Sequence, residues 1–201
     1  TDGLLFLYAP GPLDSADIRL EVTANPLLDV QADGLTFDGF TFTGTRGDAV
    51  RVRGSGNTIC NCTITAVSGR GADLSGSGNV IRDCVISHVG RGGIALSGGD
   101  RVTLTPGGNR AENNLIHHFA EVHLTYNPGV SLSGVGQVVA HNEMHHAPHT
   151  AVLYGGNDHL IEYNLIHHVV RWSSDAGSIY AGRDWTGQGT VIRYNCLYDI
   201  G

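Results

Sequence analysis

The sequence predicts an all-β chain wound into a solenoid of about seven to eight stacked parallel coils. Three observations carry that expectation. A short segment recurs with the same internal chemistry, its aligned copies share several apolar columns, and no window sustains the 3.6-residue period of an amphipathic helix. The 29 glycines also disfavour helix.

The recurring segment centres on a column that reads Phe40, Cys62, Cys84, Asn114, Asn142, Asn164 and Asn195, with steps of 22, 22, 30, 28, 22 and 31 residues. A repeat near 22 with longer excursions is the signature of stacked coils. Two places on lie Phe42, Ile64, Ile86, Ile116, Met144, Ile166 and Leu197; five places on lie Val67, Val89, Phe119, Ala147, Val169 and Ile200. Three places back lie Phe37, Ile59, Ile81, Ala111, Val139, Ile161 and Ile192. These short apolar bursts are split by Gly-Asn, Ser-Gly and Gly-Gly pairs, which is the grammar of strand, turn and strand. Ile64, Ile86, Ile116, Met144 and Ile166 are expected to stack directly. The repeated Asn is expected at an inward turn, where its amide can bond backbone groups and the next Asn.

The 201 residues fit one domain, residues 1–201, with no evident terminal cap, and the chain is expected to be a segment of a longer protein. The formal charge is −7 and all 12 basic residues are Arg. No basic run suggests nucleic acid as a partner. No apolar stretch approaches a membrane span, and no signal peptide is visible. Oligomeric state is not legible. Cys60, Cys62, Cys84 and Cys196 read as small apolar residues rather than a zinc set, although Cys62 and Cys84 share a column at bridging distance.

Ten of the 11 histidines lie between His117 and His168. The pairs His117-His118, His145-His146 and His167-His168 fall in register, so stacked imidazoles on the outer surface are expected. The spacing matches no His-Glu-x-x-His pattern and no carboxylate partner is evident, so no metal ligand is assigned.

The long steps mark inserted loops, at residues 98–106, 120–127, 171–175 and 182–186. In repeat folds such insertions gather on one face, often the working face. Loops 120–127 and 171–175 leave their coils at the same column, where the intervening coil has Pro148-His149-Thr150. His123, His149 and Asp175 are therefore expected in one depression with Tyr180 and Arg183. The strands near residues 130–133 and 151–154 form its floor.

The columns, together with the run Asp175-Ala176-Gly177-Ser178-Ile179-Tyr180-Ala181-Gly182-Arg183-Asp184-Trp185-Thr186, resemble the right-handed parallel β-helix superfamily. That superfamily includes pectate lyases, polygalacturonases and a bacterial subgroup described mainly by its right-handed β-helix repeats. Asn113 to Phe119, Ala147 to Ala151 and Asn157 to Asn164 fit it as well, and the resemblance covers roughly residues 30–201. It implies a right-handed coil, a polysaccharide or oligosaccharide partner, and a secreted, periplasmic or cell-surface location. The Arg-x-Lys signature of polygalacturonases is absent, since the chain has no Lys.

A glycoside hydrolase is the leading expectation. Hydrolysis needs two carboxyl groups about 5–9.5 Å apart. Asp175 and Asp184 are the first candidates, Glu121 the third, and His149 the candidate base. Nine residues of fully extended chain would put the two Asp about 30 Å apart, so they can cooperate only if their loops fold back. His123, Tyr126, Trp172, Tyr180, Arg183 and Trp185 are the expected substrate-binding residues, because aromatic faces suit sugar rings. No cofactor is expected for a hydrolase. The alternatives are a polysaccharide lyase, with calcium as its cofactor and His149 or Arg183 as base, and a non-catalytic β-helix that binds glycan or builds a fibre.

Overall fold

The computed structural model describes Gly11 and residues 18–201. The expectation of an uncapped N-terminus falls on residues outside that range.

The described chain is a parallel β-solenoid of seven coils, with no helix. Each coil contributes one strand to each of three sheets. The first sheet runs Leu28–Val30, Val50–Ser55, Ala72–Ser77, Ile94–Asp100, Val130–Gly134, Val152–Tyr154 and Ile179–Tyr180. Thr105–Pro106 adds a short antiparallel hairpin to its fourth strand. The second sheet runs from Thr36–Asp38 to Val191–Arg193 and the third from Thr41–Thr45 to Cys196–Ile200, every pair parallel.

The columns read from the sequence are the register of these sheets. Ile64, Ile86, Ile116, Met144 and Ile166 are paired in succession across the third sheet and fully buried. Ile59, Ile81, Ala111, Val139 and Ile161 do the same in the second. In the first sheet Val50, Ala72, Ile94, Val130 and Val152 close the third wall of the core. Each large aliphatic side chain so buried contributes about 1.5–3 kcal/mol relative to exposure. No coil covers the seventh one among the described residues, so its inward Ile192 and Leu197 remain 45% and 46% exposed.

The corner between the second and third sheets holds the expected Asn column. Asn114, Asn142 and Asn164 are buried. The Oδ1 of Asn142 accepts from both the backbone N–H and the side-chain amide of Asn114, at 3.0 and 2.9 Å. Asn164 does the same for Asn142, and Asn195 for Asn164. Each amide also donates to a core carbonyl, as Asn142 does to Ala111 and Ala140. In the upper coils the thiols carry the column on: the Cys62 N–H meets Cys84 Sγ at 3.4 Å, and each thiol lies 3.1 Å from a carbonyl two residues back. The cysteines are unbridged, and burial pushes the Cys84 thiol up to about 12. Phe40, at the top of the column, instead lies half exposed against Phe42.

A second polar column occupies the corner between the first and second sheets, and sequence reasoning did not find it. Asn57 bonds to Asn79, Asn79 to Asn109, and Asn109 to Gln137, each pair by a backbone and a side-chain donor into one oxygen. His159 ends the chain of bonds: the Gln137 N–H donates to its Nδ1 at 3.1 Å and its Nε2–H donates to the Gly155 carbonyl at 3.0 Å. Beside this corner the coils approach so closely that a Cβ at Gly134 would lie 2.0 Å from the Gly98 carbonyl oxygen. With its φ of +84°, Gly134 admits no other residue without distortion.

Two tests follow from the columns. Replacing Asn142 with Leu orphans the Asn114 backbone donor and is expected to cost about 1–3 kcal/mol in urea denaturation. His159 is neutral by its bonding, and burial pushes its pKa down. Its folded pKa is lowered, so its contribution is complete above the unfolded value of about 6.5 and is lost as pH falls through that range. His159→Gln, which continues the amide column without titrating, is expected to reduce the fall in thermal midpoint between pH 7 and pH 5. An identical fall in the variant would exclude His159 as a contributor.

Candidate functional site

The inserted loops rise at two corners of the solenoid and enclose the outer face of the first sheet at its last three coils. Strand alternation points Val130, Leu132 and Val152 inward and leaves Ser131, Leu153 and Tyr180 outward, paired side by side across neighbouring strands. With Tyr126 from one loop and Arg183 from the other, these residues line a depression of about 340 Å³. A second depression of about 340 Å³ adjoins it, sharing Tyr154, Gly155 and Gly182, and is lined further by Asp184, Gln188 and Thr190. Together they form one groove with tyrosines and a guanidinium at one end and a carboxylate at the other. Arg183 makes no ion pair among the described residues, and the buried Thr190 hydroxyl has no hydrogen-bond partner.

Asp184 is held in place by its own turn and by the hairpin of the fourth coil. Its carboxylate accepts from the Thr186 N–H and hydroxyl, at 3.0 and 2.7 Å, and pairs with Arg101 at 2.8 Å. These donors, the Thr186 bonds first, hold its pKa below the usual carboxylate range. Arg101 also reaches Asn157 and Thr186, so it clamps three coils together.

His149 lies buried beneath Tyr126, with ring centroids 5.0 Å apart. Burial pushes its pKa down, and its Nδ1 has no hydrogen-bond partner. Its neighbour Thr150 ties the corner to the next coil, donating to the Gly177 carbonyl at 2.6 Å.

The residues expected to form one site are divided by the loop wall. Tyr126, Tyr180 and Arg183 share the groove, with Asp184 at its far end and His149 behind Tyr126. Glu121 and Trp172 line a different cavity of about 540 Å³, on the side of the loops that faces the third sheet. His123, Asp175 and Trp185 are exposed and line neither; Trp185 stands fully in solvent. The expected convergence of His123, His149 and Asp175 with Tyr180 and Arg183 is therefore only partial. The reason is that loop 120–127 turns two faces to two cavities. Sequence reasoning placed Tyr154 only as part of the floor strand and missed Gln188 and Thr190, which lie between the last strands of the first and second sheets.

The histidines form two stacked columns on the outer face of the third sheet. His117, His145 and His167 stack at 5.1 and 4.8 Å between centroids; His118, His146 and His168 stack beside them at 5.1 and 4.8 Å. Strict strand alternation would send the second residue of each pair inward. Instead it adopts a left-handed backbone, with φ of 50–54°, which turns it outward and lets Phe119, Ala147 and Val169 enter the core. Burial, then the imidazoles of His146 and His167, pushes His145 down to about 4.

A family model described as a right handed beta helix region matches residues 28–131 of the chain. No curated protein and no solved structure matches it.

Proposed function

The chain belongs to the right-handed β-helix family, and from the groove that its loops enclose we propose that it is a carbohydrate-active member that holds a polysaccharide or oligosaccharide along the first sheet. The observation that carries this reading is the set of Tyr126, Tyr180 and Arg183 around one depression floored by rigid parallel strands. Tyrosine rings present an apolar face to the C–H side of a sugar and a hydroxyl to its rim. Groups mounted on paired strands keep their spacing, which hydroxyl recognition requires. A polysaccharide substrate also accords with a place outside the cytoplasm, where such polymers are met.

The reaction we assign is hydrolysis of a glycosidic bond. Asp184 opens onto the groove as an ionised carboxylate, the state needed in a nucleophile or general base. It cannot be the proton donor in that state. Asp175, at the start of the segment that leads into the Ile179–Tyr180 strand, is the second carboxyl we assign, as the acid. Hydrolysis requires its carboxyl within about 9.5 Å of that of Asp184. The unpaired Arg183 favours a second reading, β-elimination of an acidic polysaccharide with calcium to neutralise the uronate.

Binding and cleavage are separable. Tyr180→Ala and Arg183→Ala are each expected to weaken oligosaccharide binding at least about tenfold by calorimetry, as loss of about 1.4 kcal/mol requires. Asp184→Asn and Asp175→Asn are expected to abolish release of reducing ends and leave that binding in place. Products with unsaturated ends, dependent on added calcium, would replace hydrolysis by elimination. Binding without any cleavage by the native chain would leave a glycan-binding module, and unchanged binding in both groove variants would remove the groove from the function.

A further inference from the structure

The histidine columns lie on the third sheet, away from the groove, and one part of them is built as a ligand set. Glu143 and His145 are two apart on one strand and so share its outer face, while His167 sits beside His145 on the next strand. The Glu143 Oε1 lies 3.2 Å from His167 Nε2 and 4.0 Å from His145 Nε2. All three ligand atoms lie within 4.8 Å of one another, and Glu143 is partly open to solvent.

With both imidazoles neutral, the hydrogen-bond inventory around His167 leaves one contact without a hydrogen. Its Nδ1 lies 2.8 Å from His168 Nδ1, and His168 Nε2 lies 2.8 Å from an Asp199 carboxylate oxygen, which Arg171 also holds at 2.8 Å. The string therefore runs from Glu143 through His167 and His168 to Asp199. It contains three contacts, each needing one hydrogen, whereas two neutral imidazoles carry two ring N–H groups. If His168 donates to Asp199, its Nδ1 accepts from His167 Nδ1–H. The His167 Nε2 lone pair then faces the Glu143 carboxylate, acceptor against acceptor. A single extra proton would satisfy that contact alone. It would not account for a second imidazole, His145, turned to the same oxygen. The Nδ1 of His145 is likewise engaged, 2.6 Å from His146 Nδ1.

We propose that Glu143, His145 and His167 bind a divalent transition-metal ion of the zinc class through one carboxylate oxygen and two Nε2 atoms, clipping two successive coils together. Two imidazoles and one carboxylate are a known zinc donor set, leaving a fourth position for water. Small ring tilts suffice to bring the nitrogens from strand spacing to about 2.0–2.1 Å from the ion. His146 and His168 would then accept from the ligands' Nδ1–H groups and fix their orientation, as outer partners of metal-bound histidines do. Asp199 holds His168 in the tautomer that this needs. The sequence signal is the Glu-x-His of residues 143–145, meaningful only once His167 is known to lie alongside.

Titration of the purified chain with Co²⁺ alone, followed by its visible absorption and by competition with Zn²⁺, tests the proposal. The expected result is a tetrahedral-type spectrum saturating at one ion per chain for this site, and a rise in thermal midpoint with added Zn²⁺. Glu143→Gln and His167→Gln are each expected to weaken binding more than tenfold, and Asp199→Asn about tenfold. His88→Gln, at the far end of the stacked array beside His117 and His118, is expected to leave this site's spectrum unchanged. If His167→Gln fails to fold by circular dichroism, the partly exposed Glu143→Gln decides. No binding at millimolar Co²⁺, or equal affinity in the native and Glu143→Gln chains, overturns the proposal.

Discussion

The buried corner is the constraint on which this solenoid depends. A coil of about 22 residues turns three times, and each turn exposes backbone N–H and C=O groups toward a core without water. An unpaired buried group costs as much as a lost hydrogen bond, so each must find a protein partner. The answer here is vertical. The side-chain oxygen of one coil accepts two hydrogens from the coil before it, and its amide donates to carbonyls of the same and preceding coils. Two such columns run along two of the three corners. Because each member serves its neighbour, a shift of one coil would orphan several groups at once, which is what fixes the register.

That register also decides where loops can go. The excess residues leave the coils at the two corners that flank the first sheet, so the insertions stand beside its outer face. The groove is a consequence: a floor of rigid strands, with a tyrosine-bearing loop on one side and the Arg183–Asp184 turn on the other. The Arg101 clamp shows how one excursion steadies another, since the hairpin of the fourth coil holds the turn of the last two. A loop of this kind is positioned without needing a core of its own.

The outer face of the third sheet uses the same repetition for a different end. Left-handed residues at the end of each strand bring pairs of imidazoles outward, and the strand spacing stacks them at about 5 Å. Burial first, and then its imidazole neighbours, make His145 hard to charge. The ring nitrogens of His145 and His167 nevertheless converge with Glu143 in a way that a surface packing array does not require.

The sequence by itself determined the coil. Inward positions such as Ile64, Ile86 and Ile116 are legible because a parallel stack repeats one environment, and a repeated environment selects the same residue type at a fixed step. Asn114, Asn142 and Asn164 were legible for the same reason. The Asn57, Asn79, Asn109, Gln137 and His159 column escaped because its residue type drifts from Asn to Gln to His while its hydrogen-bonding role stays constant. The site was less legible still. Loops 120–127 and 171–175 share a column, but a loop wall has two sides, and only the folded chain decided that Tyr126 faces Tyr180 while Glu121 and Trp172 face the histidines. Glu143 beside His167 was decided in the same way. Composition and spacing fix which residues repeat along one strand, whereas contacts between an irregular loop or a diagonal neighbour and its surroundings depend on backbone directions that only tertiary packing sets.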